Sequence, residues 1–99
     1  MLNIQKTLEE KTLTVALSGR LDTTTAPELE KSLQESLDDV DELVMDMAGL
    51  EYISSAGLRV LLTAQKTMVK RGGMKVTHVC EAVMEVFEVT GFLDILTVE

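Results

Sequence analysis

Residues 42–62 read ELVMDMAGLEYISSAGLRVLL, and this stretch decides the fold class. Its first six residues, 42–47, are short and mostly apolar, which is typical of a strand covered on both faces in a parallel sheet. A loop is expected over residues 48–57, with the start of a helix inside it. Apolar residues then recur at helical spacing, which predicts a helix from about 56 to 70. A strand that leads into a helix indicates an α/β layer.

Strands and helices alternate along the rest of the chain in the same way. Residues 12–18 alternate apolar and polar side chains, a period of two that predicts a strand, and Gly19 is expected to close it. Leu29, Leu33 and Leu37 recur every four residues, which predicts a helix with one buried stripe. The strands are expected at 2–8, 12–18, 42–47, 74–79 and 93–98, and the helices at about 26–38, 56–70 and 81–90.

Local signals predict how the helices begin. Thr25 followed by Glu28 has the spacing of a capping box, and Pro27 suits the first turn of a helix. Either Ser54 or Ser55 is able to cap the helix that follows it. The paired glycines 72 and 73 are expected to end that helix, and Gly91 to end the last one.

Composition narrows the classes of partner. The 99 residues contain 17 Asp and Glu against 9 Lys and Arg, a formal net charge of −8. This charge repels phosphate backbones and anionic lipid, so we expect no DNA or RNA binding and no membrane surface as partner. The sequence has no apolar run long enough to span a membrane and no signal-peptide pattern at its start. The single cysteine suits a reducing cytosol, which predicts a cytoplasmic domain whose partner is a protein.

Few residues offer catalytic or metal-binding chemistry. The sequence has no GxGxxG, no P-loop and no Cys or His pairs at metal spacing, so no cofactor and no metal are expected. His78 and Cys80 lie two residues apart at the end of a predicted strand, and a Cys–His dyad is one interpretation of that spacing. Two partly buried residues at a strand end is the other interpretation, and the one that we favour.

The hydroxyls of Ser54 and Ser55 have three interpretations. Capping of the helix is the most common role for serine at such a position. A nucleophile is disfavoured, because no His lies in a supporting place and the pattern is not GxSxG. The third interpretation is phosphorylation, which adds about −1.5 to −2 charges at pH 7 and is enough to repel a docked partner. A polar, basic face of the same helix starts at Ser55, although basic residues near a helix C-terminus also simply complement its dipole.

Three stretches of the sequence together match a known pattern. They are LSGRLD at 17–22 with the threonines that follow, DMAGLEYISSAGLRVLL at 46–62, and VFEVTGF at 86–92. On these residues the chain resembles the STAS family, specifically the bacterial anti-sigma factor antagonists, over essentially residues 1–99 as one domain. The resemblance implies an α/β fold with a mixed, mostly parallel sheet of about four or five strands flanked by helices. It also implies a regulatory protein that is not an enzyme.

The resemblance implies partner switching. In this family the dephosphorylated antagonist binds an anti-sigma factor that is also a serine kinase, and the sigma factor is released. The kinase phosphorylates a serine at the start of the second long helix, the antagonist then dissociates, and a serine phosphatase restores it. By motif position the acceptor is Ser55, with Ser54 as a minor alternative. The residues that the resemblance implies for partner binding are Asp22, Thr23, Thr24, Ser54, Ser55, Ala56, Gly57 and Arg59.

The acceptor motif departs from the family at two positions. The family commonly has Asp-Ser-[Ser/Thr]-Gly, whereas this chain has Ser54-Ser55-Ala56-Gly57. Ser54 therefore replaces a carboxylate beside the acceptor, and Ala56 replaces a second hydroxyl. Arg59, one turn beyond Ser55, is placed to pair with a phosphate or to contact a partner.

Two other functions remain open on the sequence. The first is a STAS adaptor that is not phosphorylated and belongs to a transporter or a signalling complex, with Ser55 acting only as a cap. The second, which we rate lower, is a small enzyme that uses His78 and Cys80.

Overall fold

The computed structural model describes the whole chain, residues 1–99. The strands are β1 (Leu2–Glu9), β2 (Thr12–Leu21), β3 (Glu42–Ile53), β4 (Met74–Thr77) and β5 (Thr97–Val98), and the helices are α1 (Ala26–Ser36), α2 (Ser55–Met68) and α3 (Glu81–Thr90). The five strands lie in the sheet in chain order, with β1 antiparallel to β2 and all later neighbours parallel. The mixed, mostly parallel sheet flanked by helices is therefore confirmed.

The three helices pack against one face of the sheet. Each helix connects two neighbouring parallel strands, the crossovers all advance in the same direction, and such crossovers are right-handed. Alternate residues of the central strands, such as Val15 and Met45, are fully buried under the helices. They belong to one hydrophobic core of 25 residues, which includes Leu29, Leu61 and Phe87 from the three helices.

The expected loop over residues 48–57 was wrong, because β3 continues as a strand to Ile53. The pairing between β2 and β3 shifts register between Ala16 and Ser18 and again after Gly19. Such bulges interrupt the period of two, and β3 accordingly has two adjacent exposed residues at Ala48 and Gly49. The second half of β3 is therefore a strand by its backbone hydrogen bonds, although its sequence does not alternate between apolar and polar residues.

Three other predicted strand ends were wrong. Gly19 does not close β2, which runs to Leu21 with Gly19 at a φ of +97°. The strand β4 stops at Thr77, because His78 adopts a φ of +57° that leaves the extended region. The predicted strand at 93–98 begins inside a 3-10 turn at Phe92–Asp94, and only Thr97–Val98 pairs with β4.

The capping box predicted for α1 was also wrong. Thr25 does occupy the N-cap position, but its side chain makes no capping hydrogen bond. The Thr25 hydroxyl instead donates to the carbonyl oxygen of Arg20, at 2.9 Å, behind the helix. Pro27 lies in the first turn as predicted.

The helix α2 is slightly shorter than predicted and ends at Met68. Val69, which falls inside the predicted helix, is 65% exposed because it lies beyond the last turn. Gly91 ends α3 in the left-handed conformation, at a φ of +79°, as the sequence indicated.

Candidate functional site

The candidate site lies where β2 and β3 end and where α1 and α2 begin. Leu21 and Ile53 pair at the ends of these two parallel strands. Since both strands end at the same edge of the sheet, the two loops that follow them lie next to each other. The backbone N–H of Ser54 donates to the carbonyl oxygen of Leu21 at 2.9 Å, which ties the second loop to the first.

The first loop is organised by the side chain of Asp22. Its Oδ1 accepts hydrogen bonds from the backbone N–H groups of Thr24 and Thr25, both at 3.0 Å. The Thr25 N–H is the main cause that lowers the pKa of Asp22 below its ordinary value. Thr23 and Thr24 are exposed at the tip of this loop. Asp22 is therefore a carboxylate whose charge holds the loop that presents the two threonines.

The second loop separates the roles of the two serines. Ser54 is the N-cap of α2, is half-buried, and accepts a hydrogen bond from the Gly57 N–H at 3.4 Å through its Oγ. Ser55 is the first residue of α2, is exposed, and its hydroxyl makes no hydrogen bond within the chain. Ser54 therefore performs the capping role, and the Ser55 hydroxyl is not needed for it.

The first turn of α2 fits closely against the strand ends. A Cβ placed at Gly57 would lie 2.7 Å from Cγ of Leu21 and 2.9 Å from Cγ1 of Ile53. Gly57 is buried, so it allows this close approach and presents no side chain to a partner. Among the residues that the resemblance implies for partner binding, Gly57 therefore has a packing role.

A shallow depression joins the two loops on the surface. Its lining includes Thr23 from the first loop together with Ala56 and Arg59 from α2. Arg59 is exposed and forms no ion pair within the chain. Of the residues implied for partner binding, the structure thus brings Thr23, Ala56 and Arg59 together in this depression.

Sequence reasoning missed one pair beside the site. Arg20 on β2 lies opposite Tyr52 on β3, and its guanidinium carbon is 4.2 Å from the centre of the tyrosine ring. Such a cation–π contact contributes about 0.5–1 kcal/mol at an exposed position. The pairing follows from the register between β2 and β3. That register could not be predicted from the sequence, because bulges shift it.

The Cys–His dyad is not formed. The His78 ring contacts Oδ1 of Asp46 through Nδ1 at 3.1 Å, and the thiol of Cys80 donates to the carbonyl oxygen of Leu50 at 3.3 Å. The two side chains make no hydrogen bond to each other, so the structure gives no support to nucleophilic catalysis at this pair. Oδ1 of Asp46 also accepts a hydrogen bond from the backbone N–H of Ala48, at 3.0 Å, within β3.

Two further structural findings concern metals and membranes. No cluster of three or more His, Cys, Asp or Glu side chains is arranged so that it could hold a metal ion. None of the three helices has both the length and the apolar character needed to cross a lipid bilayer.

Comparison with known proteins decides the family. The family model described as Mlab, STAS domain, matches residues 4–97. The chain belongs to the STAS family. Among curated relatives of this STAS protein is BtrV of Bordetella bronchiseptica, which is named as an anti-sigma factor antagonist. BtrV is 39% identical over 88 residues, a match that covers 87% of this chain and 76% of BtrV.

Solved structures share the STAS fold. An anti-sigma factor antagonist from Mycobacterium paratuberculosis superposes with a TM-score of 0.90 at 24% identity, covering 99% of this chain and 85% of that one. The phosphorylated form of the Bacillus cell fate determinant SpoIIAA superposes with a TM-score of 0.75 at 15% identity, covering 98% and 91%. These two structures bear on the fold of the chain.

Proposed function

We propose that this STAS domain is an anti-sigma factor antagonist that switches partners through phosphorylation of Ser55. In the unphosphorylated state it binds an anti-sigma factor with serine kinase activity, and the sigma factor is released. Phosphate on Ser55 ends that contact, and a serine phosphatase restores it. The name of BtrV and the fold shared with SpoIIAA, a protein that has a phosphorylated form, support this function.

The free hydroxyl of Ser55 is the observation that carries the proposal. A kinase needs an acceptor oxygen that it can reach and that is not engaged elsewhere. Ser55 is exposed and unbonded, whereas Ser54 is half-buried and caps the helix. Where the family commonly has an aspartate, this chain has Ser54, which caps α2. The residue that we propose as the acceptor, Ser55, is still present.

The switch is electrostatic and local. The partner contacts the surface formed by the Asp22 loop and the first turns of α2, including Thr23, Ala56 and Arg59. Phosphorylation adds about −1.5 to −2 charges and three acceptor oxygens beside this surface, at the first residue of α2. Burying that group against the partner costs several kcal/mol, because a charge that loses its water needs partners that the docked surface does not provide.

The test uses a purified anti-sigma kinase from the same organism, with ATP and mass spectrometry. We expect one phosphate, on Ser55, and none on the variant Ser55→Ala. The control Ser54→Ala keeps the phosphate, although loss of the cap lowers stability by about 1 kcal/mol. Phosphate found on Ser54, or on neither serine, would overturn the proposal.

A second candidate is an adaptor that is not phosphorylated. The matching family model is the Mlab STAS domain and not one named for antagonists, which favours keeping this candidate. The adaptor predicts that Ser55→Ala retains all regulation in the cell. The switch predicts that the same variant stays bound to its anti-sigma factor permanently.

A further inference from the structure

Basic residues are distributed unevenly along this acidic chain. Residues 52–80 contain five Lys and Arg and no Asp or Glu, while the rest of the chain carries four basic and seventeen acidic residues. The basic segment contains all of α2 and β4, whereas α1 and α3 each have an acidic residue in the first turn. This segment therefore carries a net positive charge within an acidic chain, and four of its five basic residues lie on α2 and in the turn that follows it.

Three of these residues form a surface that we name the α2 basic face, defined as Arg59, Lys66 and Lys70. Arg59 and Lys66 are seven residues apart within α2, so they project from the same side of the helix, and Ser55 lies on that side one turn before Arg59. Lys70 follows in the turn just after α2, four residues beyond Lys66. Arg59 and Lys66 are two turns apart, about 10 Å along the helix axis. All three side chains are exposed.

The charges of the α2 basic face are not used within the chain. Lys75 forms an ion pair with Glu99, and His78 contacts Asp46 through Nδ1; neither contact involves this face. Arg71 is excluded from the face, because its guanidinium donates to the carbonyl oxygens of Leu37 and Val40 at the end of α1.

Helix dipole complementarity explains only part of the pattern. Basic residues near a helix C-terminus are stabilised by the dipole, which accounts for Lys66 and Lys70. Arg59 lies in the first half of α2, where the dipole gives it no such benefit. The absence of any acidic residue over 52–80 likewise has no explanation in helix stability, because Glu is a good helix former.

We propose that the α2 basic face docks an acidic surface of the anti-sigma factor, which extends the contact from Ser55 along α2. This inference rests on the proposed function. It adds that the partner surface is acidic and that it extends from Ser55 towards the C-terminal end of α2. A protein partner is favoured over nucleic acid, because a net charge of −8 repels a long polyanion and Glu30 of α1 borders the same depression as Arg59. A negative phosphate on Ser55 then stands at one end of the docked acidic surface, which explains why phosphorylation expels it.

The test compares charge reversals of equal size. Lys66→Glu and Lys70→Glu each change the net charge as Lys31→Glu does, and Lys31 is an exposed residue of α1 outside the face. Affinity for the purified anti-sigma factor from the same organism is measured by titration calorimetry at several salt concentrations. We expect each α2 reversal to weaken binding about tenfold at low salt and to flatten the salt dependence.

The controls keep the outcome decisive. Lys31→Glu is expected to change the affinity less than twofold, and Lys66→Gln, which does not oppose the helix dipole, is expected to give an intermediate loss. Thermal melts check that each variant is folded. Equal effects at Lys31 and Lys66, or no effect at Lys66 and Lys70, would overturn the inference while leaving the proposed function intact. Failure of the unaltered chain to bind the anti-sigma factor at all would instead refute the proposed function.

Two other probes address the remaining classes of partner. The chain is titrated with a random-sequence DNA duplex and with vesicles of phosphatidylcholine and phosphatidylserine. We expect no binding to either. Binding to one of them that is lost in Lys66→Glu and Lys70→Glu would overturn the assignment of the α2 basic face to a protein partner.

Discussion

The variant Gly57→Ala tests how tightly α2 docks on the ends of β2 and β3. The added Cβ would lie 2.7 Å from Cγ of Leu21 and 2.9 Å from Cγ1 of Ile53. Carbon atoms pack at roughly 3.5–4.0 Å, so something must shift. Both contacted atoms lie within the buried parts of side chains that are themselves buried, so neither can move aside cheaply.

Two opposing effects set the size of the change in stability. Overpacking of this kind costs about 1–3 kcal/mol. Replacing glycine by alanine in a helix recovers about 0.5–1 kcal/mol. We therefore expect a net loss of about 1 kcal/mol, which lowers Tm by about 4–8 °C in a domain of this size.

The assay is thermal and urea unfolding followed by far-ultraviolet circular dichroism. The matched control repeats the substitution in a Leu21→Ala background, which removes two of the three nearest atoms. There Gly57→Ala is expected to cost less than in the unaltered chain, or to stabilise. If Gly57→Ala alone is as stable as the unaltered chain, or more stable, the tight docking of the α2 start is refuted.

Three further predictions concern the loop, the helix ends and the core. Asp22→Ala is expected to destabilise the chain at neutral pH, because the folded pKa of Asp22 lies below the unfolded value of 3.8. The stabilisation by Asp22 is therefore complete above pH 3.8 and disappears as the pH falls through the lower folded pKa. Urea unfolding of both chains at a series of pH values measures this loss. Arg71→Met leaves the carbonyl oxygens of Leu37 and Val40 without their donor, and we expect urea unfolding to show a loss of about 1.5 kcal/mol in stability. An unchanged urea midpoint would show that water replaces the guanidinium. Phe87→Ala removes a fully buried side chain and is expected to lower the free energy of unfolding by about 3–5 kcal/mol. The control Val89→Ser, at a position 87% exposed on the same helix, is expected to change it by less than about 0.5 kcal/mol. Comparable losses in thermal melts of the two variants would contradict the assigned core.

The alternation of strands and helices was predictable, because burial on one face leaves a period in the sequence. The helix α3 is an example, since its bounds and its stop at Gly91 follow from helical spacing and a left-handed terminator. The second half of β3 was not predictable, because two register shifts break the period of two. Strand β5 was predicted too long for a related reason, since apolar residues alone do not distinguish a strand from a 3-10 turn.

The sequence motif proposes the residues of the candidate site, but it does not show their division of roles. Ser54 and Ser55 are chemically identical in the sequence, and only the helix start shows that one caps and the other is free. The Thr25 hydroxyl donates to the carbonyl oxygen of Arg20 instead of capping α1. This could not be foreseen, because the tertiary structure brings the end of β2 close to Thr25. The contact between Arg20 and Tyr52 depends on register between two strands, which local patterns do not report.

The central claim is that phosphate on Ser55 ends the contact with the anti-sigma factor. The most direct measurement is the affinity of the purified anti-sigma factor, by titration calorimetry, for the unphosphorylated chain and for the chain phosphorylated on Ser55. We predict that phosphorylation weakens binding about a hundredfold or more, which corresponds to a loss of about 3 kcal/mol. Equal affinities for the two forms would contradict the account.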